Sequence, residues 1–400
     1  MAEILFVNSN LYGHINPTLS ITAELVSRGN HVCYFCSKQF EEKVRAAGAE
    51  FVDYGKKQEL FLAQYRPTDQ HPFYMLMEYM LKYDEVLLPE LLAHIREKHY
   101  DVILCDSIFG AGYFLKQILD IPVVCSHSSF AMSTTPVPPR MLVAGFHPQL
   151  DECYRVLKRI CSMYQIDEPG LDEIFISKGE LNLVYTTKEF NGNNELEDES
   201  YVFTGPSIRV QEKTENLELQ QLESKKIIYI SLGTINTDFL GFFKLCINAF
   251  TNTEYSVIMS IGKKCDITEL GEIPCNFVVK QHVPQLEVLK YASVFISHAG
   301  FNSVNEALYH GVPVIAIPMV NDQYMVAKRL VELGAGVMLK MGEVTEDSLH
   351  DRVNYVVSNE NMYCSCKSIS QSMHQASKSR AATERIEKLA ERRWGHGNKE

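Results

Sequence analysis

Short runs of apolar, β-branched residues alternate with helical stretches along almost the whole chain. In the first half ILFV (4–7), HVCYF (31–35), AEFVDY (49–54), DVILC (101–105) and IPVVC (121–125) have the length and composition of buried strands. Between them, Asn16-Pro17 predicts a helix start, with Asn at the N-cap and Pro at the first helical position. That helix turns Leu19, Ile21 and Leu25 inward and ends near Gly29. Lys38 to Ala47 predicts a second helix stopped by Gly48, Phe73 to Lys98 a long amphipathic one, and a further helix starts near Gly110. The second half repeats the grammar with IIYISL (227–232), SVIMSI (256–261), NFVVK (276–280), VFIS (294–297), VPVIAI (312–317) and GVML (336–339).

Strands that alternate with helices pair in parallel through right-handed crossovers. The expected fold class is α/β: two doubly wound, Rossmann-like domains facing across a cleft. The first covers residues 1–209, a polar linker 210–226, and the second 227–380; a charged helix within 381–400 can cross back to the first domain. Ligands in such sheets bind beyond the carboxyl ends of the strands, so the cleft is the expected site.

Composition narrows the function. The chain has 400 residues and a formal charge of −12, which argues against a nucleic-acid partner. Its apolar share of 46% suits buried cores. No basic residue precedes Arg28, and no apolar run is long enough to span a membrane, so neither a secretory leader nor a membrane span is expected. Eleven scattered cysteines, with Cys33 and Cys36 as a lone CxxC, read as buried thiols in a reducing cytoplasm. There is no GxxxxGK[ST] phosphate loop, and Leu115 breaks the GxGxxG spacing begun by Gly110 and Gly112.

The richest segment runs from Val279 to Gln323. A strand ends at Ser297, His298-Ala299-Gly300 turns, and a helix begins at Asn302 or Ser303 and closes at Gly311. A helix N-terminus behind a small-residue turn offers N–H groups and a positive dipole end, an anion site made without Lys or Arg. His298 and Ser303 add donors for phosphate oxygens. Glu306, one turn further on, and Asp322-Gln323 at the same sheet edge are suited to sugar hydroxyls.

With Pro284-Gln285, His298 to Ser303 as HxGxNS, Glu306 and Asp322-Gln323 in register, this segment resembles the nucleotide-sugar signature of the UDP-glycosyltransferases, family 1, of the two-domain GT-B fold. SLGT (231–234) and Tyr12 to Pro17 (YGHxNP) match too, and the likeness to the bacterial macrolide glycosyltransferase type covers essentially the whole chain. The resemblance implies a UDP-sugar as co-substrate with no cofactor and no metal. It implies a donor site of Gly13, Asn16, Ser129, Thr234, Ser260, Gly262, His282, Val283, Gln285, His298, Gly300, Asn302, Ser303, Glu306, Asp322 and Gln323. His282 stands where many members carry a Trp that stacks on uracil.

His14 follows the first strand and Asp106 the strand DVILC, so both lie at carboxyl ends. A neutral imidazole can take a proton from an acceptor hydroxyl, and a carboxylate behind it fixes the tautomer. The resemblance gives these roles to His14 as general base and Asp106 as its partner. Ser128-Ser129 after IPVVC can touch phosphate or acceptor, or only cap the strand end. Phe61, Tyr65, Tyr74, Met75 and Tyr79, with Phe130 and Met132, offer a pliable wall for a small hydrophobic acceptor; the same stripe also suits a helix facing the core.

The expected activity is an inverting, metal-independent transfer of a hexose, glucose first, to a phenolic, flavonoid or macrolide-like hydroxyl by a monomer or weak dimer. A nucleotide-sugar epimerase, a non-catalytic nucleotide-sugar sensor and a lipid or cell-wall glycosyltransferase are the alternatives.

Overall fold

The computed structural model describes residues 1–400 except Gly55, 67–70, Gly110, Pro136, 193–195, Glu197, 209–225, 234–238, 377–378 and 397–400. The chain divides into two compact units, Met1–Ser207 with Lys378–Glu400, and Ile208–Ser377.

In the first unit the strands are β1 (Glu3–Val7), β2 (His31–Cys36), β3 (Glu50–Asp53), β4 (Val102–Asp106), β5 (Val123–His127), β6 (Leu181–Val184) and β7 (Tyr201–Phe203). The helices are α1 (Tyr12–Ser27), α2 (Glu41–Ala46), α3 (Lys56–Gln64), α4 (Pro72–Glu97), α5 (Gly112–Ile118), α6 (Pro148–Tyr164), α7 (Leu171–Phe175) and α8 (Lys188–Asn191). The second unit holds β8 (Ile227–Ser231), β9 (Ser256–Ser260), β10 (Phe277–Lys280), β11 (Ala292–Ser297), β12 (Val314–Ala316) and β13 (Gly336–Met338). Its helices are α9 (Leu240–Phe250), α10 (Gln285–Leu289), α11 (Phe301–Tyr309), α12 (Asn321–Glu332), α13 (Glu346–Ser358) and α14 (Glu360–Ala376). A last helix, α15 (Ser379–His396), packs against α1 in the first unit, with Ala382, Ile386 and Ala390 buried. Glu387 on α15 accepts from Asn30 and pairs with Arg28.

Both sheets are parallel throughout. Among the described residues the first has seven strands in the order β3-β2-β1-β4-β5-β6-β7, the second six in the order β10-β9-β8-β11-β12-β13. In each, the order reverses beside the first strand of the unit, between β1 and β4 and between β8 and β11. Helices leaving those two strand ends diverge to opposite faces, which opens a crevice at the carboxyl edge. The register levels the edge: Val7 lies beside Cys105, Asp106 beside Ser126, and Ser231 beside Ser297. Almost every strand residue on β1, β4, β8 and β11 is buried, as expected for sheets covered on both faces.

Several expectations need correcting. The first helix begins at Tyr12, not at Asn16-Pro17. Ser9 closes the turn after β1 by accepting from the Leu11 N–H, and the helix starts at once, with Pro17 buried inside it. Pro17 supplies no N–H to the carbonyl four residues back, yet its fixed φ is helical, so an early turn absorbs it. As a result His14 lies in the first helical turn instead of a loop. α11 likewise begins at Phe301, capped by Gly300, one residue before Asn302. β4 extends through Asp106 and β5 through His127. Two of the eleven free cysteines, Cys275 and Cys364, are exposed and not buried. The stretch read as a linker, 210–226, lies outside the described residues apart from Lys226. Among the described residues no helix is long and apolar enough to cross a membrane.

Candidate active site

In the first unit His14 and Asp106, 92 residues apart in sequence, meet across the β1–β4 reversal, with His14 Nδ1 2.8 Å from Asp106 Oδ2. The His14 backbone is held from the strand edge: its carbonyl accepts from Asn8 Nδ2 at 3.1 Å, and the same amide donates to Tyr34 at 2.9 Å. Asp106 is wholly buried, while the His14 side chain keeps 16% of its surface exposed. The second carboxylate oxygen of Asp106 accepts from the N–H groups of Ile108 at 2.9 Å and Phe109 at 2.8 Å. Burial works against a charged Asp106, but the opposed His14 and these backbone donors outweigh it and hold the pKa below the ordinary carboxylate value.

A carboxylate at Nδ1 selects the tautomer with the proton on that nitrogen. The lone pair then lies on Nε2, at the far edge of the ring, where it can accept a substrate proton. Ser128 and Ser129 were named for phosphate or acceptor, with Ser129 in the donor site; the structure brings the Ser128 hydroxyl to His14 Nδ1, at 2.7 Å. The signal was present, since Ser128 lies two residues beyond Ser126, the register partner of Asp106. Ser129 is half-buried beside it. Gly13 is half-buried in the first turn of α1, and Asn16 is exposed and accepts from Lys43 Nζ at 3.1 Å.

The aromatic residues named for an acceptor divide. Phe61, Tyr65 and Tyr79 pack together, with ring centroids 5.0 to 5.6 Å apart. Through Tyr79 they meet Phe109 at 5.5 Å, and Phe109 meets the His14 ring at 5.3 Å. Tyr74 does not join this face. Its ring is 1% exposed, stacked on His71, and its hydroxyl donates to the Met141 carbonyl at 3.0 Å. Met75 is half-buried on α4; Phe130 packs on Phe190 at 5.6 Å, and Met132 is half-buried nearby in sequence.

In the second unit the β8–β11 reversal carries a different construction. His298 leaves β11, Ala299 takes a left-handed φ of 62°, and Gly300 caps α11. The imidazole is wedged between two glycines. A Cβ on Gly233 would come within 2.6 Å of the ring, and one on Gly300 within 2.5 Å. Gly233 also needs its left-handed φ of 85°. Among the described residues, Nδ1 of His298 is buried without a hydrogen-bond partner. Burial pushes the ring down to about 4, and the nearby Ser231 backbone offsets only part of that, so the imidazole stays neutral at pH 7.

Asn302 and Ser303 occupy the first turn of α11, at its positive dipole end. Gln285 Nε2 bridges Ser303 Oγ at 3.3 Å and Glu306 Oε2 at 2.5 Å, and Tyr229 donates to Gln285 Oε1 at 3.3 Å. Burial lifts the Glu306 carboxyl to about 7, against the Gln285 hydrogen bond that lowers it. Asp322 is exposed at the start of α12. Gln323 is not the freely offered acceptor that the sequence suggested: its side-chain carbonyl accepts from the N–H groups of Met319 and Val320 at 2.8 and 3.2 Å and closes the turn. Ser260 ends β9, and the Gly262 N–H is engaged by the Gln281 carbonyl at 3.0 Å. His282 is exposed and Val283 buried before α10. Thr234 lies outside the described residues. Among the described residues no three His, Cys, Asp or Glu side chains gather as metal ligands.

Residues 214–377 match the family model of UDP-glucoronosyl and UDP-glucosyl transferase. Along its length the chain is 33% identical to the uncharacterized UDP-glucosyltransferase YdhE of Bacillus subtilis (strain 168), covering 97% of this chain and 98% of that one. It is 28% identical to the oleandomycin glycosyltransferase of Streptomyces antibioticus over 96% of this chain and 90% of that one. A solved structure of the glycotransferase of kitacinnamycin superposes with a TM-score of 0.84 at 26% identity, covering 97% of this chain and 99% of that one. The two Rossmann-like units are those of the GT-B fold.

Proposed function

The chain belongs to the UDP-glucoronosyl and UDP-glucosyl transferase family, and from that premise we propose that it moves a hexose, glucose first, from a UDP-sugar to a hydroxyl of a small hydrophobic acceptor with inversion at the anomeric carbon. The observation that carries the reading is the 2.8 Å bond between His14 and buried Asp106 at the first sheet's reversal.

In the proposed reaction Nε2 of His14 takes the proton of the acceptor hydroxyl, and Asp106 stabilises the imidazolium that forms. The oxygen attacks the anomeric carbon in line and UDP departs from the opposite side, so an α-linked donor yields a β-glycoside. Negative charge grows on the departing diphosphate. The first turn of α11 and the donors of Ser303 and His298 support that charge by preorganised electrostatics. Glu306 is suited to accept from sugar hydroxyls once ionised, and the His282–Val283 segment to border the base. No metal is needed in this scheme, because the helix end does the neutralising. The aromatic face of Phe61, Tyr65 and Tyr79, joined to His14 through Phe109, supports a flat or apolar acceptor, and the name of the oleandomycin relative agrees with such a class.

The test is a product assay by mass spectrometry with UDP-glucose and a panel of phenols, flavonoids and macrolides. His14→Ala is expected to cut transfer on the order of 10²–10⁴-fold while UDP still binds. Unchanged turnover in that variant removes the base assignment. Conversion of UDP-sugar without any acceptor identifies an epimerase instead, and strong inhibition by EDTA removes the metal-free scheme.

A further inference from the structure

We propose that Phe109 is a positioning residue for the transfer reaction: its ring sets the plane of the His14 imidazole and ties it to the aromatic face of α4. This rests on the reading of His14 as the base.

The carboxylate of Asp106 serves two masters. One oxygen meets Nδ1 of His14 at 2.8 Å, and the other accepts the N–H of Phe109 at 2.8 Å. The group that selects the tautomer of the base therefore also fixes the backbone of the residue packed on that base. Ser128 and Asp106 both approach the same ring nitrogen, so together they hold one corner of the imidazole. Small rotations about the Cα–Cβ and Cβ–Cγ bonds that keep Nδ1 near these partners still swing Nε2 through an arc. Proton transfer needs that atom within hydrogen-bond reach of the acceptor oxygen, so the plane of the ring matters as much as its tautomer.

Phe109 limits the swing. Its ring lies 5.3 Å from the imidazole centroid at 55°, a tilted contact. Phe109 is only 6% exposed, and its other sides are occupied. Tyr79 meets it edge-on at 5.5 Å and 89°, and Tyr83 at 6.1 Å and 75°. Both tyrosines stand on α4, and Tyr79 continues to Phe61 and Tyr65 at 5.6 and 5.0 Å. A molecule that displaces Tyr79 therefore presses on Phe109, and through it on His14. The placement of the base is coupled to the face on which an apolar acceptor would rest.

The experiment uses the full chain with UDP-glucose and umbelliferone as the probe acceptor. Phe109→Leu is expected to lower kcat on the order of 10- to 100-fold, with KM for UDP-glucose and the Kd of UDP unchanged. Phe109→Tyr, which keeps the ring, returns most of kcat. The nitrogen NMR shifts of His14 report the Nδ1–H tautomer that Asp106 selects in both proteins, and the ring-proton shifts of His14 move and broaden only in Phe109→Leu, where the imidazole plane is no longer held. His14→Ala is the separating arm. If that variant turns over normally, the base reading fails and this proposal with it. If it is inactive while Phe109→Leu keeps its kcat and its His14 shifts, positioning by Phe109 alone is overturned. Equal loss of kcat and of the thermal unfolding transition in both Phe109 variants is a folding defect and also overturns it.

Discussion

His14 follows β1 and His298 follows β11, the two different strands that flank the reversal of strand order in sheets of the same design, and their surroundings are opposite. His14 is held by side chains. A buried carboxylate and a serine hydroxyl converge on Nδ1, and part of the ring still reaches solvent. His298 is held by the absence of side chains. Two glycines leave room for its ring, and among the described residues its Nδ1 has no partner. In the first a buried carboxylate faces the ring; in the second burial expels the proton, down to about 4. A histidine that must carry a proton needs a charged partner, whereas one that offers shape and a single N–H needs only a slot. The same residue type at a strand end of two like sheets therefore meets opposite electrostatics, set by what faces it.

The sharpest way to break this contrast is to remove the charge behind His14. Asp106→Asn keeps the shape but cannot satisfy both sides. An amide has one carbonyl, while both oxygens of Asp106 accept, one from His14 and one from the Ile108 and Phe109 N–H groups. Initial rates should fall on the order of 10²–10³-fold with UDP affinity unchanged; a loss below tenfold would show that the carboxylate is not what fits His14 to its task.

Filling the slot around His298 comes next. Gly233→Ala places a Cβ 2.6 Å from the ring, at a φ of 85° that an alanine resists. Thermal unfolding should show a loss of about 3 kcal/mol, and calorimetry a UDP affinity weakened at least on the order of tenfold. The same rates and affinity as the unaltered chain would mean that the ring can move aside freely.

Glu306 sharpens the electrostatic half of the contrast. Its carboxyl holds a proton to about 7 when folded, against 4.5 in an unfolded chain. The stability this group gives is whole below pH 4.5 and fades as pH rises toward 7, where the unfolded chain has released the proton first. Glu306→Gln removes the effect. Denaturant unfolding should find the variant more stable than the unaltered chain at pH 8, by about 3 kcal/mol, and equal at pH 4. An equal difference at both pH values would discard titration as the cause.

The smallest effect belongs to Ser128→Ala. It takes away the second group at Nδ1 and leaves the carboxylate, so kcat should fall by less than about tenfold. A loss as large as that of Asp106→Asn would make the serine an equal partner in the dyad.

The alternation of apolar runs with helical stretches was enough to read two doubly wound α/β units, because parallel strands buried on both faces must be continuous hydrophobic runs. The anion-binding turn at HxGxNS followed from local spacing, since a helix N-terminus and the turn before it are adjacent in sequence, and the family followed from the resemblance of that segment, with Glu306, to a known signature. His14 and Asp106 were legible too, through the rule that strand ends of a parallel sheet share an edge. What the sequence could not decide lies wherever distant residues compete for one atom or one volume. Ser128 rather than Ser129 reaches His14, Tyr74 turns into the core while Tyr79 joins the aromatic face, the Gln323 carbonyl is consumed by its own turn, and Phe109 lies against the base. Each of these depends on register and packing between elements that sequence order keeps apart. Local chemistry is written in the order of residues; the choice among neighbours of like chemistry is made only when strands far apart in sequence pair within a sheet.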